Sequence, residues 1–179
     1  MMTNEIPKID QSDNETGCCP RFHPEPWDDQ QLHFENKPFV RASTVSAFHV
    51  PLNMGSVFAR TWGAIENAHA TDGYLVLSHD DSPWRAEHLF AVERDVPGAE
   101  MVRLNGDYLT KVFEGPYADA RKWCTTLEHF VESKGKKLET AYFFYTTCPK
   151  CAKTYGKNYV VGVAKVAPAS ITIECHRGP

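Results

Sequence analysis

The sequence predicts an α+β fold. Two strand–helix–strand–strand units follow one another, their strands form antiparallel sheet with the helices on one face, and a ligand cleft lies between the repeats. Three observations carry this expectation. The stretch Asp107 to Gly135 changes from a two-residue to a three- and four-residue apolar period at one glycine-proline corner. The order of periodic segments before residue 95 is repeated after residue 100. YLVLSHDDSP, from Tyr74 to Pro83, has a counterpart in YFFYTTCP, from Tyr142 to Pro149. A sheet with one helix on it keeps an uncovered edge, so pairing two such units extends the sheet and leaves a groove between them.

The elements follow in chain order. Residues 1–17 are polar and slightly acidic without an apolar core, which predicts a disordered tail and not a secretory signal. Residues 18–39, CCPRFHPEPWDDQQLHFENKPF, carry Pro20, Pro24, Pro26 and Pro38, too many for a regular element. They predict an extended arm whose Phe22, Trp27 and Phe34 pack on the domain, either across the mouth of a cavity or as a staple. The domain proper spans 40–168, with repeat one at 40–95 and repeat two at 100–167, and 169–179 form a C-terminal tail.

In repeat one, Val40 to Val50 reads as a strand. Ser56 is placed to cap a helix in which Phe58, Trp62, Ile65 and His69 share a stripe, and Thr71-Asp72-Gly73 turns the chain. Strands at Tyr74 to Leu77 and Ala86 to Val92 flank the polar loop HDDSPWR. In repeat two, Tyr108 to Phe113 alternates as a strand and Gly115 breaks it. Pro116 suits a first helical turn, and Asp119 places negative charge at the positive end of the dipole. Ala120, Trp123, Cys124, Leu127, Phe130 and Val131 then form one apolar stripe, so Cys124 reads as core, and Gly135 ends the helix. Strands at Ala141 to Tyr145 and Tyr159 to Val166, joined by a proline-containing loop, complete the unit.

A net charge of -4 with scattered Lys and Arg leaves no nucleic-acid footprint, and no apolar run approaches the ~18 residues that span a bilayer. The expected setting is cytoplasmic, as a monomer or homodimer. The expected partner is a small hydrophobic or cationic ligand, with neither nucleic acid nor membrane.

Phe113-Glu114-Gly115-Pro116-Tyr117 at the corner of the second repeat, Asp80-Asp81-Ser82-Pro83 followed by Trp84-Arg85-Ala86-Glu87 in the first, and the tandem order together resemble the GyrI-like family of small-molecule-binding domains. That family is related to the effector-binding domains of multidrug-sensing regulators, and some stand-alone members hydrolyse cyclopropane-bearing natural products. The resemblance implies two concave half-sheets around an aromatic-lined pocket that holds an acid, with lipophilic or cationic aromatic ligands. No helix-turn-helix sequence precedes the domain, so the DNA binding of the fused regulators is not implied.

Glu87 matches the family's acidic position and shares a strand face with Leu89 and Ala91, which directs its carboxylate toward an apolar side. Such an acid calls for a cationic ligand, a water to deprotonate, or an internal ion pair. Around it the resemblance places Trp84, Phe113, Tyr117, Phe143 and Tyr145, rings that attract a cation by about 0.5 to 2 kcal/mol each. Phe143 stands where many relatives have a second acid. A hydrolytic alternative therefore uses Glu87 as general base, with Tyr145 or Tyr117 polarising the leaving group.

No cofactor is required by this reading. The cysteines keep a rival open, since Cys148-Pro149-Lys150-Cys151 forms a knuckle-like turn and Cys18 and Cys19 could complete a tetrahedral zinc site that pins the arm. Against it, consecutive cysteines tend to diverge. A redox pair and inert thiols are the remaining alternatives.

Overall fold

The computed structural model describes residues 3–47 and 50–168; the expected C-terminal tail lies outside them. The elements are β1 (Gln31–Ala47), β2 (Val50–Pro51), α1 (Met54–Asn67), β3 (Thr71–Ser82), β4 (Arg85–Val92), β5 (Glu100–Glu114), α2 (Ala120–Ser133), β6 (Lys136–Tyr145), α3 (Pro149–Tyr155) and β7 (Tyr159–Pro168). The tandem order is as expected, and the two units share one topology. In the first, β1 pairs with β4 and β4 with β3; in the second, β5 pairs with β7 and β7 with β6, all antiparallel.

The units meet at two edges. β3 and β6 touch through Ser78 opposite Phe143, while β1 and β5 pair at length from Gln31 opposite Leu109 to Arg41 opposite Glu100. The six strands therefore close into a ring, in the order β1-β4-β3-β6-β7-β5, and β5 returns to β1. Closure leaves no long edge for another chain to pair with. A ring also has an inside, and strand alternation decides what fills it.

Inside lie Leu32, Phe34, Phe39, Leu75, Leu77, Leu89, Tyr108, Tyr142, Phe144, Val161 and Val163. Outside, α1 covers the first unit, packing around Val40, Ile65, Val76, Phe90 and Val92. α2 covers the second through Trp123, Leu127 and Val131 against Leu109, Phe113, Val160 and Ala164. Gly162 permits that approach, because a Cβ there would lie 3.0 Å from both Leu127 Cδ2 and Phe113 Cε2.

The corner ahead of α2 works as its residues suggest. Gly115 has φ +149°, open to glycine, and an added Cβ would sit 3.4 Å from Asp119 Oδ2. A short 3₁₀ turn, Tyr117–Asp119, precedes the helix, and Gly135 leaves it at φ +67°. Cys124 is exposed rather than core: the stripe that α2 buries is Trp123, Leu127 and Val131, and residue 124 falls past its edge.

Other differences have local causes. α1 begins at Met54 with Asn53 at its N-cap; Ser56 does not cap it, and its hydroxyl donates to the Asn53 carbonyl. Asn53 Oδ1 is taken by the Val45 amide. Most of the HDDSPWR loop belongs to β3, leaving Pro83-Trp84 as the turn. β5 starts at Glu100, well ahead of Tyr108, and residues 149–155 form α3. From Gln31 the expected arm is strand β1, with Leu32 and Phe34 facing in.

Residues 3–17, expected to be disordered, are placed against the ring. The Asn4 amide donates to the His33 carbonyl, Ile6 and Ile9 pack on the inner cluster, and Lys37 Nζ donates to Asp72 and the Asn4 carbonyl. Two isoleucines in a polar segment suffice as anchors once the ring presents an apolar end. Among the described residues no helix is long and apolar enough to cross a membrane.

Candidate functional site

Glu87 lies on the inner face of β4 with Leu89 and Ala91, as its strand position requires. Its side chain is 17% exposed, and Arg41 Nε on the neighbouring strand approaches its Oε2 to 2.7 Å. Arg41 also reaches Glu100, with Nη1 to Oε1 at 3.0 Å. The internal ion pair is thus the partner the acid has in this structure, and Arg41 bridges two carboxylates.

The predicted aromatic neighbours are not brought to Glu87. Phe143 and Tyr145 take the outward positions of β6, alternating with the inward Tyr142 and Phe144. Phe113 stacks on Trp123 at 5.8 Å and 17° beneath α2, and Phe143 packs in the same cluster. Tyr117 lies 5.7 Å from Tyr145 and donates its hydroxyl to the Thr147 carbonyl at 2.7 Å. Burial pushes the Tyr145 phenol up to about 12, although 40% of the residue is exposed. Trp84, in the β3–β4 turn, is 56% exposed. Of the six candidate ligand residues, Glu87 alone faces inward; the four outer ones serve α2 and its corner.

Two residues that the sequence reading passed over do stand beside it. His79 is the cross-strand partner of Glu87, and directly opposed residues have Cβ atoms about 4.5–5.5 Å apart. Tyr142, inward on β6, has its ring 5.8 Å from the His79 ring. Glu87, His79 and Tyr142 therefore form a row across β4, β3 and β6. His79 Nδ1–H donates to the Ala141 carbonyl at 3.0 Å. A carbonyl only accepts, so the neutral imidazole carries its proton on Nδ1 and its lone pair on Nε2. The available signal was the period of two: in YLVLSH, Leu75, Leu77 and His79 share a face, as Tyr142 and Phe144 do in YFFY.

The rest of the interior is occupied by the chain itself. Phe22 and Trp27 of the arm enter the inner cluster, Trp27 5.3 Å from Phe144 and Phe22 5.9 Å from Tyr159. Ile6 meets β3 at Gly73, six residues from His79, so the Glu87 row sits about 20 Å along the strand from the end that the tail closes. A cavity of about 250 Å³ opens elsewhere, between the arm and the β6–α3–β7 segment, with Phe22, Pro24, Tyr155, Lys157 and Tyr159 in its wall. It is smaller than a drug-sized site of about 300–1,000 Å³, and none of the candidate residues lines it.

The four candidate metal ligands do converge. The Sγ atoms of Cys18, Cys19, Cys148 and Cys151 all lie within 4.8 Å of one another. The consecutive pair does not diverge: its sulfurs are 3.7 Å apart. Gly17 at φ +67° turns the chain, and the amides of Cys18 and Cys19 both donate to Thr16 Oγ1, which holds the two residues on one curve. Cys148 and Cys151 are supplied by the start of α3.

The fold is similar to that of solved domains. It matches the EcmrR C-terminal domain at 15% identity with a TM-score of 0.52, over 79% of this chain and 98% of that one. A second match is SAV2435, whose structure is of the protein bound to tetraphenylphosphonium, at 11% identity and a TM-score of 0.47, over 78% of this chain and 94% of that one. The first likeness shows the α+β fold that the GyrI-like resemblance implied. No curated protein sequence matches the chain. A family model described as bacterial hydrolase matches residues 9–166, and so this ring of six strands with its packed arm belongs to the bacterial hydrolase family.

Proposed function

We propose that the chain binds a small lipophilic or cationic aromatic molecule at the Glu87 end of the ring. The observation that carries this is a half-buried carboxylate set on the inner face among an imidazole, a phenol and an apolar floor of Leu77, Leu89 and Phe144. The arm has filled the ring elsewhere, which leaves the row as the polar end. A cationic group competes with Arg41 for Glu87, and the contact of Arg41 with Glu100 lets the guanidinium keep a carboxylate when it yields the other. A thermal-shift screen of lipophilic cations and neutral analogues tests the reading, since a ligand at a hundred times its Kd adds about 2.7 kcal/mol. A hit whose shift survives Glu87→Gln unchanged, or a screen without hits, counts against it.

The orientation of His79 favours a second reading, hydrolysis, which the family's description also supports. Here Glu87, with His79 opposite it on β3, takes a proton from water, and Tyr142 donates to the leaving group, in place of Tyr145 on the far face. Product analysis by mass spectrometry separates the two readings: a product heavier by one water, lost in Glu87→Gln and His79→Gln, marks turnover, while recovery of intact ligand marks binding alone.

A further inference from the structure

We propose that Cys18, Cys19, Cys148 and Cys151 form a four-thiolate site for one zinc ion that fastens the N-terminal arm to the start of α3. Tetrahedral zinc with Zn–S bonds of about 2.3 Å requires sulfur–sulfur edges of ~3.8 Å. The Cys18–Cys19 separation of 3.7 Å meets that edge, and the full set, within 4.8 Å, needs only small side-chain rotations to reach it. A disulfide within the pair would require about 2.05 Å, far shorter than the spacing found.

The surroundings brace a cluster that runs from the surface inward, with Cys18 exposed and Cys19 and Cys148 half-buried. Cys148 N–H donates to Cys19 Sγ at 3.4 Å, a bond that persists when the sulfur is a thiolate and helps to hold its charge. Thr16 Oγ1 orders the Cys18-Cys19 turn and stands 3.3 Å from Cys151 Sγ, while Tyr155, on α3, donates its hydroxyl to the Cys19 carbonyl at 2.7 Å. Cys151 is buried. Four thiols, 129 residues apart in sequence between Cys19 and Cys148, converge where the proline-rich arm has little regular structure of its own to hold it. Each thiol that ligates releases its proton to solvent, so uptake of metal is accompanied by acid release. With all four positions supplied by protein there is no open one for substrate, which makes the site structural rather than catalytic. Its consequence lies in the arm: the same segment carries Phe22 and Trp27 into the ring, so the metal secures the plug.

The test is metal analysis of full-length protein purified without added zinc. The expected result is one zinc per chain, retained in Cys124→Ser and lost in Cys148→Ser/Cys151→Ser. Should the double variant fail to fold, wild-type protein stripped of metal and titrated with cobalt(II) decides: thiolate-to-cobalt charge transfer with a tetrahedral visible band, saturating at one equivalent, is expected. Alkylation followed by mass mapping is expected to label Cys124 while the four cluster residues stay protected until a chelator is added. Protein with only trace metal and freely alkylated cluster thiols, a disulfide mapped within the cluster, or a cobalt spectrum without thiolate ligation would each overturn the assignment.

Discussion

Removing the Trp27 side chain measures how firmly the arm is seated. Trp27 is 1% exposed, with its ring 5.3 Å from Phe144 and 6.1 Å from Phe22. An indole of this kind buries about 250 Å², worth ~6 kcal/mol at 25 cal/mol per Å². Residual burial in the unfolded chain lowers that to about 4–5 kcal/mol, which agrees with the 3–5 kcal/mol typical of Trp→Ala in a core. The Trp27 carbonyl, which accepts from Thr110 Oγ1, is the same in an alanine variant, so the loss is one of packing. Trp27→Ala is therefore expected to cost about 4 kcal/mol, and with an m value near 2 kcal/mol/M the urea midpoint falls by about 2 M. A loss below about 1 kcal/mol would refute the reasoning, because the ring interior would then be open to solvent without the arm.

Three further outcomes follow from other parts of the fold. His88 is buried between Thr44 and Ser78, at 2.9 and 2.8 Å, and desolvation lowers its pKa to about 4. As the pH falls from about 6.5 toward 4 the unfolded chain takes up a proton that the folded one refuses. Stability is then expected to drop by up to ~1.4 kcal/mol per pH unit, a slope that urea titrations should show reduced in His88→Asn. Gly162→Ala is expected to cost ~1–2 kcal/mol in the same assay by pressing on Leu127 and Phe113. Chelation of the proposed zinc is expected to speed tryptic cleavage at Arg21, with the gain abolished by restoring the metal.

The periodic parts of the fold were legible where burial leaves a pattern: α2 buries a single stripe, while β4 and β7, covered on both faces, stand out as short apolar runs, and the YLVLSH and YFFYTT counterparts gave the tandem order. The start of β5 was not legible, because Glu100 to Leu104 has only half-buried apolar positions. α3 was hidden by its proline, which opens the helix instead of breaking it. For the site, the face of Glu87 followed from alternation, but its partner did not: Arg41 comes from another strand, and only the β1–β4 register places it there. The same alternation sends Phe143 and Tyr145 outward, a consequence that the family resemblance obscured. The cysteine cluster was legible as residue types, while its geometry depends on the turn at Gly17.

The claim at the centre of this account is that ligand chemistry belongs to the inward row and not to the outward tyrosines. Calorimetric titration of one screened ligand into wild type, Glu87→Gln, His79→Gln and Tyr145→Phe tests it most directly. Binding at least about tenfold weaker is expected for the first two variants, ~1.4 kcal/mol, with an unchanged Kd for Tyr145→Phe. Wild-type affinity in Glu87→Gln together with a loss in Tyr145→Phe would contradict it.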